Sequence, residues 1–299
     1  MNLRSVDLRT DLDSLHRLIA EIEEYDLHPA LSERKHFQLV EPPFDSGAAS
    51  SGLLAEGDHG LVSYLAFMEE DGGLWTVETA VHPDYRTASV LEALIQGVHS
   101  EVKRRGGVAI RLWAYNPDVV KAVERAGFAL ERELHHLRAT LPVAESARFP
   151  SGIVVRGFRE GIDEDAWLEG NNRVFCGHPE NGNWGMEDLD RRRRRPWWSP
   201  QGLRMAWDGE ALAGFCWTKA PSPRAGEIYV IGVVPGYQSM GLGKALLLEG
   251  ISHMYAYHHA KACVLYVDAG NAPAVNMYRS LGFRHHHSDH SYLLTLDAS

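Results

Sequence analysis

The sequence predicts an α/β fold with mixed sheets, built as two tandem copies of one strand-helix unit. Three observations carry this reading. A segment of prolines and small polar residues, Thr140 to Gly152, lies close to the midpoint of the 299 residues. Strands and helices follow in the same order on either side of it. One spacing also repeats, since Asn116 to Gly127 and Asn271 to Gly282 are both eleven residues. Unrelated folds rarely share both order and spacing, so the halves read as a diverged duplication. The expected domains are 1–140 and 153–299, with 141–152 as the linker.

Each half opens with a short strand, Leu3 to Leu8 and Ile153 to Phe158. An acidic amphipathic stretch follows each, Asp11 to Glu24 and Asp163 to Asn171, and predicts a helix. In the first half, Trp75 to Val81 reads as a strand ended by Pro83. Ser89 to Lys103 is the next helix and Val108 to Trp113 the next strand. Asn116 then precedes a short helix that ends at Gly127-Phe128. In the second half the β-branched run Ile228 to Pro235 predicts a strand. A glycine-rich loop, Gln238-Ser239-Met240-Gly241-Leu242-Gly243, leads into an apolar helix from about Lys244 to Tyr257. The strand Cys263 to Val267 and the segment Asn271 to Phe283 complete it.

Composition bounds the partners. Hydrophobic residues at 44% and charged residues at 23% suit a soluble protein with full cores. A formal charge of -10 repels phosphate backbones, so no nucleic-acid partner is expected. No run of about 18 apolar residues is present, so no membrane span is expected. Cys176, Cys216 and Cys263 are too few and too scattered for a disulfide framework, and Cys216 and Cys263 sit in apolar runs that read as buried strands. The start of the chain lacks a signal-peptide apolar run, so a cytoplasmic protein is expected, and a monomer is the expected state. Arg191 to Arg195 reads as a solvated helix end. His285-His286-His287 with His290 lacks supporting ligand spacing, so no metal is expected.

The loop between strand and helix carries the chemistry. Its glycines let backbone amides approach an anion, and the helix N-terminus adds unpaired N–H groups and a favourable dipole. A diphosphate suits that site. No Gly-Lys-Ser/Thr follows at the spacing of a Walker loop, and no Gly-x-Gly-x-x-Gly is present.

Val233-x-Pro235, Gln238-x-x-Gly241-x-Gly243 and Asn271-x-x-Ala274-x-x-x-Tyr278-x-x-x-Gly282-Phe283 together resemble the acetyl-CoA signature of the GCN5-related N-acetyltransferase (GNAT) family. The resemblance covers both halves and is stronger in the second. It implies a strand that splays from its neighbour at a bulge, with pantetheine on its backbone and the diphosphate on the loop. The implied acetyl-CoA contacts are Ile231, Gly232, Val233, Gln238, Ser239, Met240, Gly241, Leu242, Gly243, Lys244, Asn271, Ala272, Pro273, Ala274, Val275 and Asn276.

Gly177-His178-Pro179-Glu180, Phe215 to Lys219, Glu227 to Val233 and Leu265 to Asp268 lie outside that signature. They resemble tandem members that acetylate the cysteinyl amine of cysteinyl-glucosaminyl-inositol. This nominates Glu180, Lys219, Glu227 and Tyr266 for the acceptor, with Asp26 from the first half. Another small amine, such as an aminoglycoside or a peptide N-terminus, or a non-catalytic acetyl-CoA sensor, stays open on the residues alone.

Amine acetylation needs a neutral amine, and a free α-amine has a pKa of roughly 7.7–8. A base must therefore take a proton, and the leaving thiolate gains from an acid. The resemblance assigns these roles to Glu227 and Tyr278. Glu227 and Ile231 are four residues apart, roughly 13 Å along an extended strand, so a water relay is expected between Glu227 and the amine. Tyr278 follows Asn271 by seven residues, two helical turns, so both are expected to face the cofactor.

The first half has lost these features. Counted from Pro83 as from Pro235, Gly241 becomes Ser89 and Gly243 becomes Leu91. Tyr278 becomes Val123 and Glu227 becomes Trp75. That half is expected to do no chemistry and to bind acetyl-CoA weakly at best, with Thr79, Ala80 and Val81 as its remaining strand contacts.

Overall fold

A computed structural model describes residues 2–26, 28–40, 52–57, 60–178, 182–220 and 224–296. It divides the chain into two compact units, Met1–Leu134 with Ser288–Ser299, and His135–His287.

The first unit begins with strand β1 (Asn2–Ser5) and helices α1 (Leu12–Asp26) and α2 (Glu33–Val40). Strands β2 (Gly52–Gly57), β3 (Gly60–Glu69) and β4 (Leu74–Val81) follow, each antiparallel to the one before. Helix α3 (Ala88–Arg104) returns the chain so that β5 (Ala109–Ala114) lies parallel to β4. Helix α4 (Pro117–Arg125) and strand β6 (Ala129–Thr140) come next. Apolar side chains of α1 and α2 pack on one face of the sheet, and those of α3 and α4 on the other.

The second unit repeats this plan with β7 (Ile153–Gly157), α5 (Glu164–Val174), α6 (Met186–Arg193), β8 (Leu203–Asp208), β9 (Ala211–Lys219), β10 (Gly226–Val233), α7 (Leu242–His258), β11 (Ala262–Asp268), α8 (Ala272–Ser280) and β12 (Arg284–Thr295). Its sheet runs β7-β8-β9-β10-β11, antiparallel except for the parallel pair β10/β11. Leu246, Leu247, Ile251 and Met254 of α7 cover one face, and Trp167 and Leu189 of α5 and α6 cover the other. The packing under α7 leaves no room for a side chain at Gly250, where a Cβ would come within 2.5 Å of the Cys216 sulfur.

Two features depart from the expected domain limits. The end of β12 belongs to the first unit, where His290–Thr295 pair antiparallel with Ala114–Ala109 of β5. A strand's partner is set by which sheet edge accepts its ladder, and local pattern does not encode that choice. The stretch 141–152 is also no free linker. Leu141 donates its amide to Lys261 at 2.9 Å and is buried, and Val143, Ala147 and Phe149 pack on the core under α7 and α8. Its apolar residues have surface to hide, and the second unit hides it.

The repeated spacing has a structural cause. Asn116 is the N-cap of α4, its Oδ1 accepting from Asp118 and Val119, and Asn271 is the N-cap of α8, accepting from Ala274. Gly127 and Gly282 follow those helices with φ of 86° and 88°, the left-handed turn that favours glycine. A capping asparagine and a terminating glycine therefore bracket a nine-residue helix in each unit.

Candidate active site

Strand β10 is irregular where the chemistry was expected. Against β9 its register runs Glu227↔Lys219, Ile228↔Thr218, then Val230↔Trp217, so Tyr229 is an extra residue. Such a bulge bends the strand and re-aims its side chains. Against β11 the parallel register covers only Gly226–Ile228 with Cys263–Leu265, although β10 continues to Val233 and β11 to Asp268. The backbone of Ile231, Gly232 and Val233 is thus paired with β9 on one side and lies past the end of the β11 ladder on the other.

The loop beyond β10 turns sharply. Gly236, Ser239 and Gly241 have φ of 104°, 63° and 79°. Gly241 is the N-cap of α7, and no side chain caps that helix. A Cβ on Gly241 would meet nothing within 4 Å, and one on Gly243 only a Val233 methyl at 3.5 Å. The space a side chain would take above both glycines is open. Amides of a helix start facing an open space suit a phosphate group. Lys244 adds a cation there, held by Glu145 at 2.7 Å.

On the α5/α6 side of the sheet, Glu227 and Lys219 face each other across β10 and β9. Their charged groups are 3.7 Å apart and both are about four-fifths buried. The Lys219 ammonium also lies 5.1 Å from the Trp197 ring and 5.4 Å from the Tyr229 ring. A cation over an aromatic face is attracted by the ring quadrupole, which restrains the long lysine chain.

Comparisons with known proteins agree with this geometry. Residues 166–283 match the model of the acetyltransferase (GNAT) family. A mycothiol acetyltransferase of Arthrobacter sp. (strain FB24) is 37% identical over 295 residues, covering 92% of this chain and 90% of that protein. One of Streptomyces scabiei (strain 87.22) is 36% identical, covering 97% and 95%. The chain belongs to the mycothiol acetyltransferase family. Among solved structures, a GCN5-related N-acetyltransferase from Sphaerobacter thermophilus superposes with a TM-score of 0.74 at 21% identity, covering 100% of this chain and 96% of that one. A tandem GNAT protein from the clavulanic acid biosynthesis pathway gives 0.75 at 15% identity, covering 100% and 99%. These two show the shared tandem fold.

As a member of the mycothiol acetyltransferase family, the chain is an acetyl-CoA-dependent N-acetyltransferase. In the second unit the space above the loop glycines is open and the β11 ladder of β10 stops at Ile228. The first unit differs at the same places. Its β3/β4 register is unbroken from Ser63↔Val81 to Glu69↔Trp75, with no bulge. Leu91, Val123 and Trp75, at the positions of Gly243, Tyr278 and Glu227, are all buried in its core.

The remaining nominated residues fall as follows. Tyr278 lies on α8, 5% exposed, packed in the core beside Phe283 at 5.8 Å between ring centres. Burial pushes its phenol well above the ordinary tyrosine range, so it holds its proton through neutral pH. Tyr266 of β11 stacks on His136 at 4.7 Å. Asn271 spends its side-chain oxygen on the cap of α8, at 3.2 Å from the Ala274 amide. Asp26, in the first unit, accepts two bonds from Arg86 at 2.7 and 2.6 Å. Glu180 lies outside the described residues. Cys216 and Cys263 are buried free thiols, as the sequence indicated, and burial raises both well above the thiol range. Neither is suited to act as a nucleophile.

One group was misread in the sequence. Arg192, inside the five-arginine run, is 9% exposed and donates from Nε to the Tyr229 hydroxyl at 2.6 Å. The signal that marks it is the set of tryptophans around the run, Trp184, Trp197 and Trp198, which a solvated helix end would not need.

Proposed function

We propose that the second unit transfers acetyl from acetyl-CoA to the cysteinyl amine of cysteinyl-glucosaminyl-inositol, forming mycothiol. The relatives' names support the product, and the observation that supports the site is the break of β10 from β11 after Ile228, beside the open loop at α7. Ile231, Gly232 and Val233 supply the backbone along which pantetheine lies. The amides of Gln238 to Lys244 hold the diphosphate, with Ala272 to Asn276 lining the far side of the cofactor.

The reaction is direct attack. The amine nitrogen bonds to the thioester carbonyl carbon while its proton passes through water to Glu227. A backbone amide of β10 steadies the oxyanion. The carbon–sulfur bond then breaks, and Tyr278 gives its proton to the departing thiolate. Products are the amide and free coenzyme A; Glu227 then releases its proton to solvent and Tyr278 recovers one from it. Lys219, Tyr266 and Glu180 hold the hydroxyl-rich acceptor, a ligand suited to a few placed polar groups. The first unit does no chemistry. The reaction takes place in the cytoplasm, where coenzyme A is at hand.

A panel assay tests this. The enzyme with acetyl-CoA is offered cysteinyl-glucosaminyl-inositol, an aminoglycoside and a peptide N-terminus. The first is expected to be acetylated with by far the highest kcat/KM. Acetylation of another amine in preference to it would transfer the reading to that amine.

A further inference from the structure

The five arginines from Arg191 to Arg195 have separate fates. Arg194 is exposed, whereas Arg192 is buried against the sheet. Its guanidinium carbon lies 3.7 Å from the centre of the Trp184 ring, and its Nη1 donates to the Asp188 carbonyl at 2.9 Å. Its Nε donates to the hydroxyl of Tyr229 at 2.6 Å. Taking a guanidinium out of water is costly unless it is held on several sides, so this placement fixes its neighbours as firmly as itself.

Tyr229 is the extra residue of the β10 bulge. Its ring packs on Trp197 at 5.2 Å and on Trp217 at 5.3 Å. The Lys219 ammonium rests over the Tyr229 and Trp197 rings and reaches Glu227 at 3.7 Å. A single path of contacts therefore runs from Arg192 through the Tyr229 ring to Lys219 and the Glu227 carboxylate. All its members lie within the second unit.

We propose that Arg192 is a positioning residue for the Lys219–Glu227 pair, acting by anchoring the Tyr229 phenol and so fixing the ring on which the Lys219 ammonium rests. The inference rests on the reading of Glu227 as the base. Without the anchor the ring is free to turn, and the ammonium loses its seat beside the carboxylate. An opposite charge that recedes raises a carboxylate's pKa. Among the described residues, Cys263 of β11 also feels the Glu227 charge, its thiol being pushed up by burial and, in part, by that carboxylate.

The test uses the full-length enzyme with Arg192→Lys, Tyr229→Phe, the double variant and Glu227→Gln. Each of the first two is expected to lower acceptor kcat/KM at pH 7 by about tenfold, equivalent to about 1.4 kcal/mol. Each is also expected to move the acid limb of the pH profile to higher pH, with the KM for acetyl-CoA unchanged. Because both act on one bond, the double variant is expected to be no worse than the weaker single. An unmoved acid limb in Tyr229→Phe, which removes only the oxygen that Arg192 reaches, overturns the proposal even if Arg192→Lys fails to fold. So does a double variant whose loss is the product of the two singles. Glu227→Gln separates the underlying reading: if it keeps the acid limb, Glu227 is not the base. If it abolishes the limb while the other variants leave the limb in place, the positioning inference alone falls.

Discussion

Arg156 grips the carboxylate of Asp163 through both terminal nitrogens, at 2.5 and 2.9 Å. Arg4 grips Asp11 in the same way, at 2.7 and 2.8 Å. Both pairs are seven residues apart, and in both the aspartate also accepts the amide four residues before it, from Arg159 and from Asp7. The grip ties the first strand of each unit to the start of its first helix.

That relationship sets an acid response. Burial alone would raise the Asp163 carboxyl, but the hydrogen bonds from Arg156 and Arg159 outweigh it and hold the carboxyl down at about 2. A carboxyl depressed on folding contributes stability that is full above its unfolded pKa of about 4. The contribution fades as pH falls from there to about 2. Asp163→Asn is expected to cost about 2 kcal/mol at pH 7, the scale of hydrogen bonds to a charged group. Thermal unfolding followed from pH 6 to pH 2 should show the variant's Tm converging on that of the parent in this window. Parallel curves would show that Asp163 is not a source of the acid sensitivity.

The repeat of these salt bridges was not legible in the sequence, although the duplication was. Asn116 with Gly127 and Asn271 with Gly282 announce themselves, because caps and left-handed turns accept few residue types. Gly241 and Gly243 do so for the same reason. Arginine and aspartate at a spacing of seven look like ordinary surface charge until the strand and helix are folded together. Arg192 was hidden in the same way, since burial of an arginine depends on an aromatic bed assembled from Trp184, Trp197 and Tyr229. A bulge was implied by the family resemblance, but its place at Tyr229 left no mark, because any residue can occupy an extra ladder position.

The loop glycines predict a cofactor phenotype with an intact fold. Gly243→Leu recreates the leucine that the first unit carries at Leu91. The nearest atom to a new Cβ is a Val233 methyl at 3.5 Å, an ordinary contact, so the helix itself tolerates the change. The added side chain instead enters the space read as the diphosphate site. Calorimetry is expected to show one tight acetyl-CoA per parent chain and at least a tenfold weaker Kd in the variant, with a similar Tm. Two tight sites on the parent would restore the first unit as a cofactor binder. An unchanged Kd in the variant would remove the loop from the diphosphate.

Asp26 makes a sharper case because its carboxylate is already engaged. Arg86, almost fully buried, donates to both Asp26 oxygens and to the Val81 carbonyl at 3.0 Å. Asp26→Asn leaves that guanidinium without its counter-charge, a loss of about 3 kcal/mol on the scale of broken buried pairs. Arg86→Met breaks the same pair while keeping the aspartate. Both are expected to lower Tm by a similar amount in thermal unfolding. A parent-like Tm in either variant would show that the Asp26–Arg86 pair does not hold α1 to the turn after β4.

Tyr278 carries the clearest pH argument. A phenol raised by burial keeps its proton far into the alkaline range, so the proposed acid stays armed wherever the amine is neutral. The parent's kcat is therefore expected to hold level on the alkaline side to at least about pH 9.5, below the ordinary tyrosine pKa of about 10. Tyr278→Phe keeps the ring that packs on Phe283, so the fold should survive. It removes only the hydroxyl, and kcat is expected to fall about 100-fold, the low end for a lost general acid. The acetyl-CoA KM should stay close to that of the parent. The thiolate supplies a second check, since a thioester with a more acidic leaving thiol needs less help from an acid. The deficit of Tyr278→Phe is expected to shrink with such a donor. An equal deficit with both donors would place Tyr278 in the core as packing and return the search for the acid to another residue.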